Sequence, residues 1–224
     1  MEFTRKTWNE NQKQLRELFK KESTFEESIV LFMDQHAGVH ASEVSGLEGR
    51  TFEDELWEDL NDTSFRKGQN KKGRTVAYGM WHSARIEDIT MNLLVAGEEQ
   101  VIDQENWKER INSSIYDTGN ALDSEGILNF SESIDIQSLR GYRNAVGKKT
   151  RKIVASLDYK DLKVKVLESG LIKIMELGAV ANHEEALWLL DFWGKKTVAG
   201  ILLMPATRHH FVHINESMEA KKKG

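Results

Sequence analysis

A single proline, Pro205, occurs in this chain of 224 residues, whereas average proteins contain about 5% proline. Proline breaks the interior of a helix, so a chain nearly free of it is suited to long helices. Apolar residues also recur at helical intervals, in residues 4–20, 24–44, 75–96 and 137–157. The sequence therefore predicts an all-α fold.

A further helix is predicted at residues 183–203. The last helix is predicted to begin near Pro205, since proline is well suited to a first helical turn. Two other starts carry capping signals: Thr51 followed by Asp54, and Asp135 before Ile136.

Two stretches are less regular. Residues 97–134 lack a helical period and predict a connection with short helices, and the alternating Val and Ile between Lys163 and Ile174 leave a short strand or hairpin open.

Composition excludes several classes of protein. The chain has no cysteine, which removes disulfides, thiolate catalysis and cysteine-based zinc sites, so that any metal site must use His, Asp or Glu. No apolar run approaches the roughly 18 residues of a membrane span, and the N-terminus lacks the apolar core of a secretory signal; we therefore expect a cytoplasmic protein. The net charge of −5 argues against nucleic-acid binding, and the basic residues within 67–74 are interpreted as a solvated loop.

The chain has seven histidines, and three of them lie together near the C-terminus: His209, His210 and His213. His209 and His213 are one helical turn apart on one face, a spacing at which two imidazoles can share a metal ion. His82 is the candidate for a third ligand. His210 lies nearer the apolar side of the helix and is interpreted as structural or peripheral.

The last helix has two contrasting sides. His209, His213 and Glu216 fall on one side, and Phe211 and Ile214 fall on the other. Two arrangements are open. In the first, both sides are buried, and the apolar side packs against other helices or a second subunit. In the second, the histidines are exposed to solvent.

A second pair with the same spacing, His36 and His40, is either a rival metal site or supplies His40 to the first pocket as a fourth polar group. Glu87 and Asp88 follow His82 and are interpreted as supporting or surface groups rather than ligands. Three neutral imidazoles would leave coordination positions for water or substrate, which is typical of a catalytic site, and nitrogen ligands favour Zn, Ni, Cu or Fe over Mg or Ca.

Two motifs carry a resemblance to a known family. The segment WHSARIED at 81–88, followed by PATRHHFVHINE at 205–216, resembles the DinB-like superfamily of metal-dependent enzymes. The resemblance implies a four-helix bundle with a three-histidine metal site, in which His82 is the first ligand and His209 and His213 are the pair.

The same resemblance implies one elaborated domain over residues 1–224. Its bundle helices would span about 23–44, 75–96, 135–157 and 183–220, with insertions at 97–134 and 158–182. DinB-like proteins are often dimeric, which leaves a homodimer open here. Members with known activity are metal-dependent thiol S-transferases that use bacillithiol or mycothiol, and a related isomerase uses mycothiol.

The resulting hypothesis is an enzyme in which Zn or Ni activates a low-molecular-weight thiol or a water for transfer to, or hydrolysis of, a small molecule. His40 and Glu216 are candidates for supporting or proton-transfer roles at the catalytic centre. Tyr78 and Arg85 are candidates for lining the cofactor pocket, against the alternatives of a core Tyr and a surface Arg. The competing hypothesis is a non-catalytic helical-bundle protein with a structural metal or a partner-binding role.

Overall fold

Helices make up most of the chain. The structure, a computed structural model, describes residues 3–224. Its α-helices are α1 (Arg5–Leu18), α2 (Phe25–Gly38), α3 (Ser42–Ser45), α4 (Phe52–Trp57), α5 (Asp62–Arg66), α6 (Val76–Asp88), α7 (Trp107–Ile111), α8 (Ser124–Ser133), α9 (Ile136–Ala155), α10 (Glu168–Glu176), α11 (Glu184–Gly194), α12 (Val198–Leu203) and α13 (His209–Lys221). No strand occurs within residues 3–224, so the all-α prediction is confirmed. None of the helices there combines the length and apolarity that a membrane span requires.

The predicted helix starts at Thr51 and Asp135 are confirmed. Thr51 Oγ1 accepts a hydrogen bond from the Asp54 amide at 3.1 Å, and Asp54 Oδ2 accepts one from the Thr51 amide at 3.1 Å, which is a complete capping box. Asp135 Oδ1 accepts from the Ser138 amide at 2.7 Å. These side chains satisfy amides that would otherwise lack partners at the starts of α4 and α9.

The prediction of one continuous helix over residues 183–203 is wrong. α11 ends at Gly194 and α12 begins at Val198, because the residues between them pair with the segment before α10. The Val166 amide donates to the Lys196 carbonyl at 3.0 Å, and the Val198 amide donates to the Val164 carbonyl at 2.9 Å. Of the strand or hairpin left open between Lys163 and Ile174, only an isolated bridge between Lys165 and Thr197 forms, and the residues from Glu168 onward are helical in α10.

Two wide π-helical turns interrupt the long helical stretches. Residues Ile89–Ala96 continue α6 as a π-helix, and Met204–Arg208 join α12 to α13 in the same form. Pro205 therefore lies inside a helical stretch rather than at its start. Proline cannot donate the usual backbone hydrogen bond, and π-turns accommodate such a break. The wide turn ends directly before His209.

α6 is the central helix of the fold. It packs against α9 and α13, and all 13 of its residues are buried. The sequence predicts a single apolar stripe here, but the structure surrounds the helix on every side. The polar side chains of α6 therefore have no route to solvent and must find partners inside the protein.

Candidate metal centre

The three histidines at which the sequence predicts a metal site lie together. One ring nitrogen from each of His82, His209 and His213 lies within 4.8 Å of the other two. The ring centroids are 4.9 Å apart for His82 and His209, 4.7 Å for His82 and His213, and 4.4 Å for His209 and His213. The direct packing of α6 against α13 brings the three rings to one point.

The ring of His82 is held in one orientation. Its Nδ1 lies 2.7 Å from the carbonyl oxygen of Thr118. A carbonyl oxygen only accepts hydrogen bonds, so Nδ1 carries the hydrogen and Nε2 keeps its lone pair. Metal-binding histidines are commonly oriented in this way. The ring of Tyr78 stacks on His82 at 5.5 Å, with 8° between the ring planes.

Thr118 belongs to a short segment that runs along α6. The Trp81 indole donates to the Asp117 carbonyl at 3.0 Å, and Arg85 Nε donates to the Tyr116 carbonyl at 2.9 Å. Three consecutive carbonyls therefore accept hydrogen bonds from side chains of α6. The segment lies within residues 97–134, which the sequence marks only as a connection, and it supplies the partner that orients His82.

A carboxylate lies beside His213. Oε2 of Glu216 is 3.3 Å from Nδ1 of His213, without full hydrogen-bond geometry. Lys72 Nζ lies 2.7 Å from Oε1 of Glu216, and Arg74 Nη1 lies 3.0 Å from Oε2. Burial alone would raise the pKa of Glu216, but its contacts with His213, Lys72 and Arg74 outweigh burial and lower the pKa well below its usual range. Glu216 is therefore an anion next to the predicted ligand.

Burial keeps the three rings neutral. It is the main cause of the lowered pKa of His82, His209 and His213, and repulsion from neighbouring cationic groups, including Arg74, adds to it. Neutral imidazole is the form that binds metals. The buried Nδ1 atoms of His209 and His213 have no hydrogen-bond partner. Three neutral nitrogen donors, one of them already oriented, fit a transition-metal ion.

Burial is uneven across the centre. His82 is 3% exposed and His213 is 6% exposed, whereas His209 is partly exposed. Lys72 and Arg74 lie at the edge near Glu216 and retain contact with solvent. The side of His209 is therefore the least buried part of the centre.

The opposite side of α13 is also buried. The ring of Phe211 stacks on Trp8 of α1 with a centroid distance of 4.2 Å and parallel planes, and Ile214 packs in the same apolar cluster. Both sides of the last helix are thus buried, and the apolar side packs against helices of the same chain.

A second histidine cluster surrounds Glu87. Nε2 of His36 lies 2.8 Å from Oε1 of Glu87, and Nε2 of His40 and of His210 lie 3.1 Å and 2.9 Å from Oε2. All four side chains are fully buried. Of the alternatives for these two residues, the peripheral position of His210 and the surface position of Glu87 are therefore wrong, and the structural and supporting ones remain. His40 contacts this cluster, and its predicted place in the pocket of His82 is not observed.

Arg85 is part of the core and does not line a pocket. Its guanidinium donates to Asp88 at 3.0 Å, to the Tyr142 hydroxyl at 3.0 Å and to Gln100 at 2.9 Å, and it is fully buried. The alternative of a surface arginine is therefore wrong, and the predicted cofactor contact is not observed, because the guanidinium is bound to groups of the core. Tyr78 is buried, and its contact with His82 places it beside the centre.

Sequence reasoning missed several groups near the two clusters. Lys72 and Arg74 lie within the three residues before Thr75, the N-cap of the helix that carries His82, and this position indicates that they lie near the end of that helix. Glu87 is predicted only as a supporting or surface group, and its place on a helix with few surface-type positions is a weaker signal for its contacts with three histidines. The carbonyl of Thr118 has no side-chain signal at all.

A surface groove of about 1410 Å³ lies elsewhere on the molecule. It is lined by residues such as Leu94, Lys149, Leu167 and Lys173, and none of the seven histidines lines it. Its size therefore does not mark the position of the histidine chemistry.

No family model matches the chain, and no curated protein matches it. Its function is therefore inferred from its motifs and from the geometry of the histidine centre.

Proposed function

We propose that this chain is a DinB-like, metal-dependent enzyme in which His82, His209 and His213 hold a divalent transition metal ion, Zn or Ni. The observation that carries the proposal is the convergence of the three rings from two helices, with His82 fixed by the Thr118 carbonyl. The order and spacing of the two motifs, 81–88 and 205–216, support the same family.

A four-helix bundle is part of the proposal. Its helices would be α2, α6, α9 and the helical stretch from α11 to α13, with residues 97–134 and 158–182 as insertions. The packing of α6 against both α9 and α13, and of α2 against α9, supports this arrangement.

When bound, the ion would act as a Lewis acid that activates a thiol or a water. The chain's own groups support such a role. Three imidazoles leave coordination positions free, and the least buried side of the centre, at His209, is the proposed access to them. The carboxylate of Glu216, 3.3 Å from Nδ1 of His213, adds negative charge that favours a cation at the centre. Lys72 and Arg74 bring positive charge to the edge, which favours an anionic group such as a thiolate.

The proposed reaction is therefore thiol S-transfer or hydrolysis of a small molecule, and a low-molecular-weight thiol is the proposed co-substrate of the transferase. A cytoplasmic location and a homodimer belong to the same proposal, on the strength of the sequence and the resemblance alone. Light scattering on the purified chain tests the dimer.

Metal binding is the first test. Chelator-treated protein is reconstituted with Zn or Ni, and bound metal is measured by plasma mass spectrometry. We expect His82→Ala to lower the metal affinity at this centre by at least about 100-fold, because a ligand is lost. His183→Ala, at the exposed start of α11, is the control and should keep the wild-type affinity. Unchanged metal affinity in His82→Ala would remove the basis of the proposal.

A thiol panel separates the two reactions. If the cobalt-substituted protein changes its visible spectrum on addition of low-molecular-weight thiols, S-transfer is favoured, and an unchanged spectrum favours hydrolysis. Metal that is held by the three histidines but exchanges with neither thiols nor water would instead favour the non-catalytic alternative.

A further inference from the structure

We propose that His36, His40, His210 and Glu87 form a second metal site, closed to solvent, that binds a divalent transition ion such as Zn and holds α2, α6 and α13 together. The ion is structural in this proposal, and it is distinct from the one at His82.

The donor atoms are already close to coordination distance of one another. One ligand atom from each of His36, His40 and Glu87 lies within 4.8 Å of the others, and Nε2 of His210 is 2.9 Å from Oε2 of Glu87. In a tetrahedral zinc site with bonds of about 2.0 Å, neighbouring donor atoms are about 3.3 Å apart. The observed nitrogen–oxygen distances of 2.8, 3.1 and 2.9 Å are slightly shorter than that value, so an ion would push Glu87 away from the rings. His210 lies outside the group whose donor atoms are all within 4.8 Å of one another, so its ring would have to move inward to become the fourth ligand.

Most polar atoms of the cluster lack a hydrogen bond of good geometry. Three imidazoles offer six ring nitrogens, and only Nε2 of His36 has a hydrogen bond of good geometry, to Glu87. The buried atoms without one are His36 Nδ1, His40 Nδ1 and Nε2, His210 Nδ1 and Nε2, and Glu87 Oε2. Buried polar atoms are nearly always paired in folded proteins. An ion would bind one nitrogen of each ring and one oxygen of Glu87.

The charge of the cluster also favours a cation. With neutral rings the four side chains carry a single negative charge, on Glu87, in a region without solvent contact. Buried charges are generally paired or bound to metals. The ring of His36 stacks on that of His40 at 4.2 Å, and the rings of His40 and His210 are 4.8 Å apart, so all three rings surround the same carboxylate.

The surroundings indicate a structural site. Four protein ligands complete a tetrahedron and leave no position for substrate, in contrast to the three-histidine centre at His82. Gly147 of α9 closes the remaining side. A Cβ atom at that position would come 2.8 Å from Nδ1 of His40 and 3.0 Å from its Cε1, so glycine provides the space in which the ring lies.

The two sites are neighbours but share no ligand. His209 belongs to the first and His210 to the second, and their ring centroids are 6.4 Å apart. Single substitutions can therefore remove one site and leave the other, and failure of one proposal is distinguishable from failure of the other.

The test is metal stoichiometry. Chelator-treated protein is titrated with Zn, desalted and analysed by plasma mass spectrometry, with circular dichroism as a check on folding. We expect two ions per chain in the wild type, one in Glu87→Gln, one in His36→Phe, one in His82→Ala and none in Glu87→Gln combined with His82→Ala. His183→Ala is the control and should retain two. Two results would overturn the second site. One is a wild type that binds a single ion and keeps it in Glu87→Gln. The other is a Glu87→Gln variant that still binds two ions.

A gentler variant keeps the test decisive if Glu87→Gln fails to fold. Gly147→Ala keeps every ligand and favours the helix, but its methyl group would displace the ring of His40. We expect its second zinc ion to bind at least tenfold more weakly. Gly200→Ala in α12, where a Cβ meets only methylene carbons of Lys196, is the matched control. Wild-type affinity for both ions in Gly147→Ala overturns the proposal.

Discussion

His82 donates its Nδ1 hydrogen to the carbonyl oxygen of Thr118 across 2.7 Å. The donor lies on the central helix, and the acceptor lies in a segment without regular structure that follows 36 residues later. The direction in which the Nε2 lone pair of His82 points therefore depends on where this segment places the Thr118 carbonyl. The metal affinity of the centre should depend on that position as well.

Gly119 offers a way to move that carbonyl without touching a ligand. Its φ is +77°, and a Cβ there would lie 3.1 Å from Cε2 of Tyr78. In Gly119→Ala we expect the segment to shift and zinc affinity to fall about 10–100-fold, as is typical when a partner of a metal ligand is lost. Competition with a chromophoric chelator measures the Kd.

The matched control for this prediction is Gly178→Ala. Gly178 has a similar φ of +65°, but a Cβ there meets nothing within 4 Å. The alanine at this position has the same kind of backbone strain, but it contacts no residue of the histidine centre. Equal zinc affinity in the two variants would show that the Thr118 carbonyl does not matter.

Glu216 should support metal binding through its charge. Glu216→Gln keeps the shape of the side chain but leaves Lys72 and Arg74 without their anion next to a cation site. We expect zinc affinity to fall about 10–100-fold, measured by the same competition. Glu219→Gln, on the same helix and paired distantly with Lys223 at 3.9 Å, should bind zinc as the wild type does. An unchanged Kd in Glu216→Gln would contradict the assigned role.

A buried ion pair stabilises the fold behind the second cluster. Arg143 Nε lies 2.7 Å from Oε2 of Glu53, and its other nitrogens donate to Ser83 Oγ at 2.8 Å and the Val39 carbonyl at 2.9 Å. Glu53→Gln leaves a buried cation without its counter-ion, so the free energy of unfolding in urea should fall by about 3–5 kcal/mol.

The exposed pair of Arg50 and Glu58 provides the comparison for that measurement. Removal of its charge in Glu58→Gln should lower the free energy of unfolding by less than about 1 kcal/mol, because solvent screens the pair. Similar losses in the two glutamine variants would show that the buried pair contributes no more than a surface one.

The parts of this structure that follow from local signals were predictable, and the parts set by distant contacts were not. The all-α fold, the caps at Thr51 and Asp135 and the pairing of His209 with His213 each depend on residues within one or two turns. The break before Val198 depends on Val164, more than thirty residues away in the chain, although both segments are apolar enough for a helix.

The same limit applies to the histidines. Nothing near His36 or His210 in the sequence indicates that both contact Glu87, because that contact requires α2, α6 and α13 to meet. The sequence predicts apolar residues at helical intervals on α6, whereas all of its residues are buried. A helix with His, Arg, Glu and Asp on several sides was a signal for buried polar networks that periodicity alone does not detect.

Acid should destabilise the metal-free protein through His36. Burial, followed by repulsion from His40, lowers the pKa of His36 from 6.5 to about 4, although Glu87 opposes the shift. Between these values the unfolded chain binds a proton that the folded chain does not, so stability is lost as the pH falls from 6.5 towards 4. At about 1.4 kcal/mol for each unit of pKa, the loss from this group approaches about 3 kcal/mol.

Urea unfolding of chelator-treated protein at several pH values between 7 and about 4.5 measures this dependence. His36→Phe removes the titrating group and fills a similar volume, so its free energy of unfolding should fall less steeply with acid than that of the wild type. Parallel slopes for the wild type and His36→Phe would mean that His36 takes up its proton in the folded protein as readily as in the unfolded chain, and that burial against Glu87 does not keep the ring neutral.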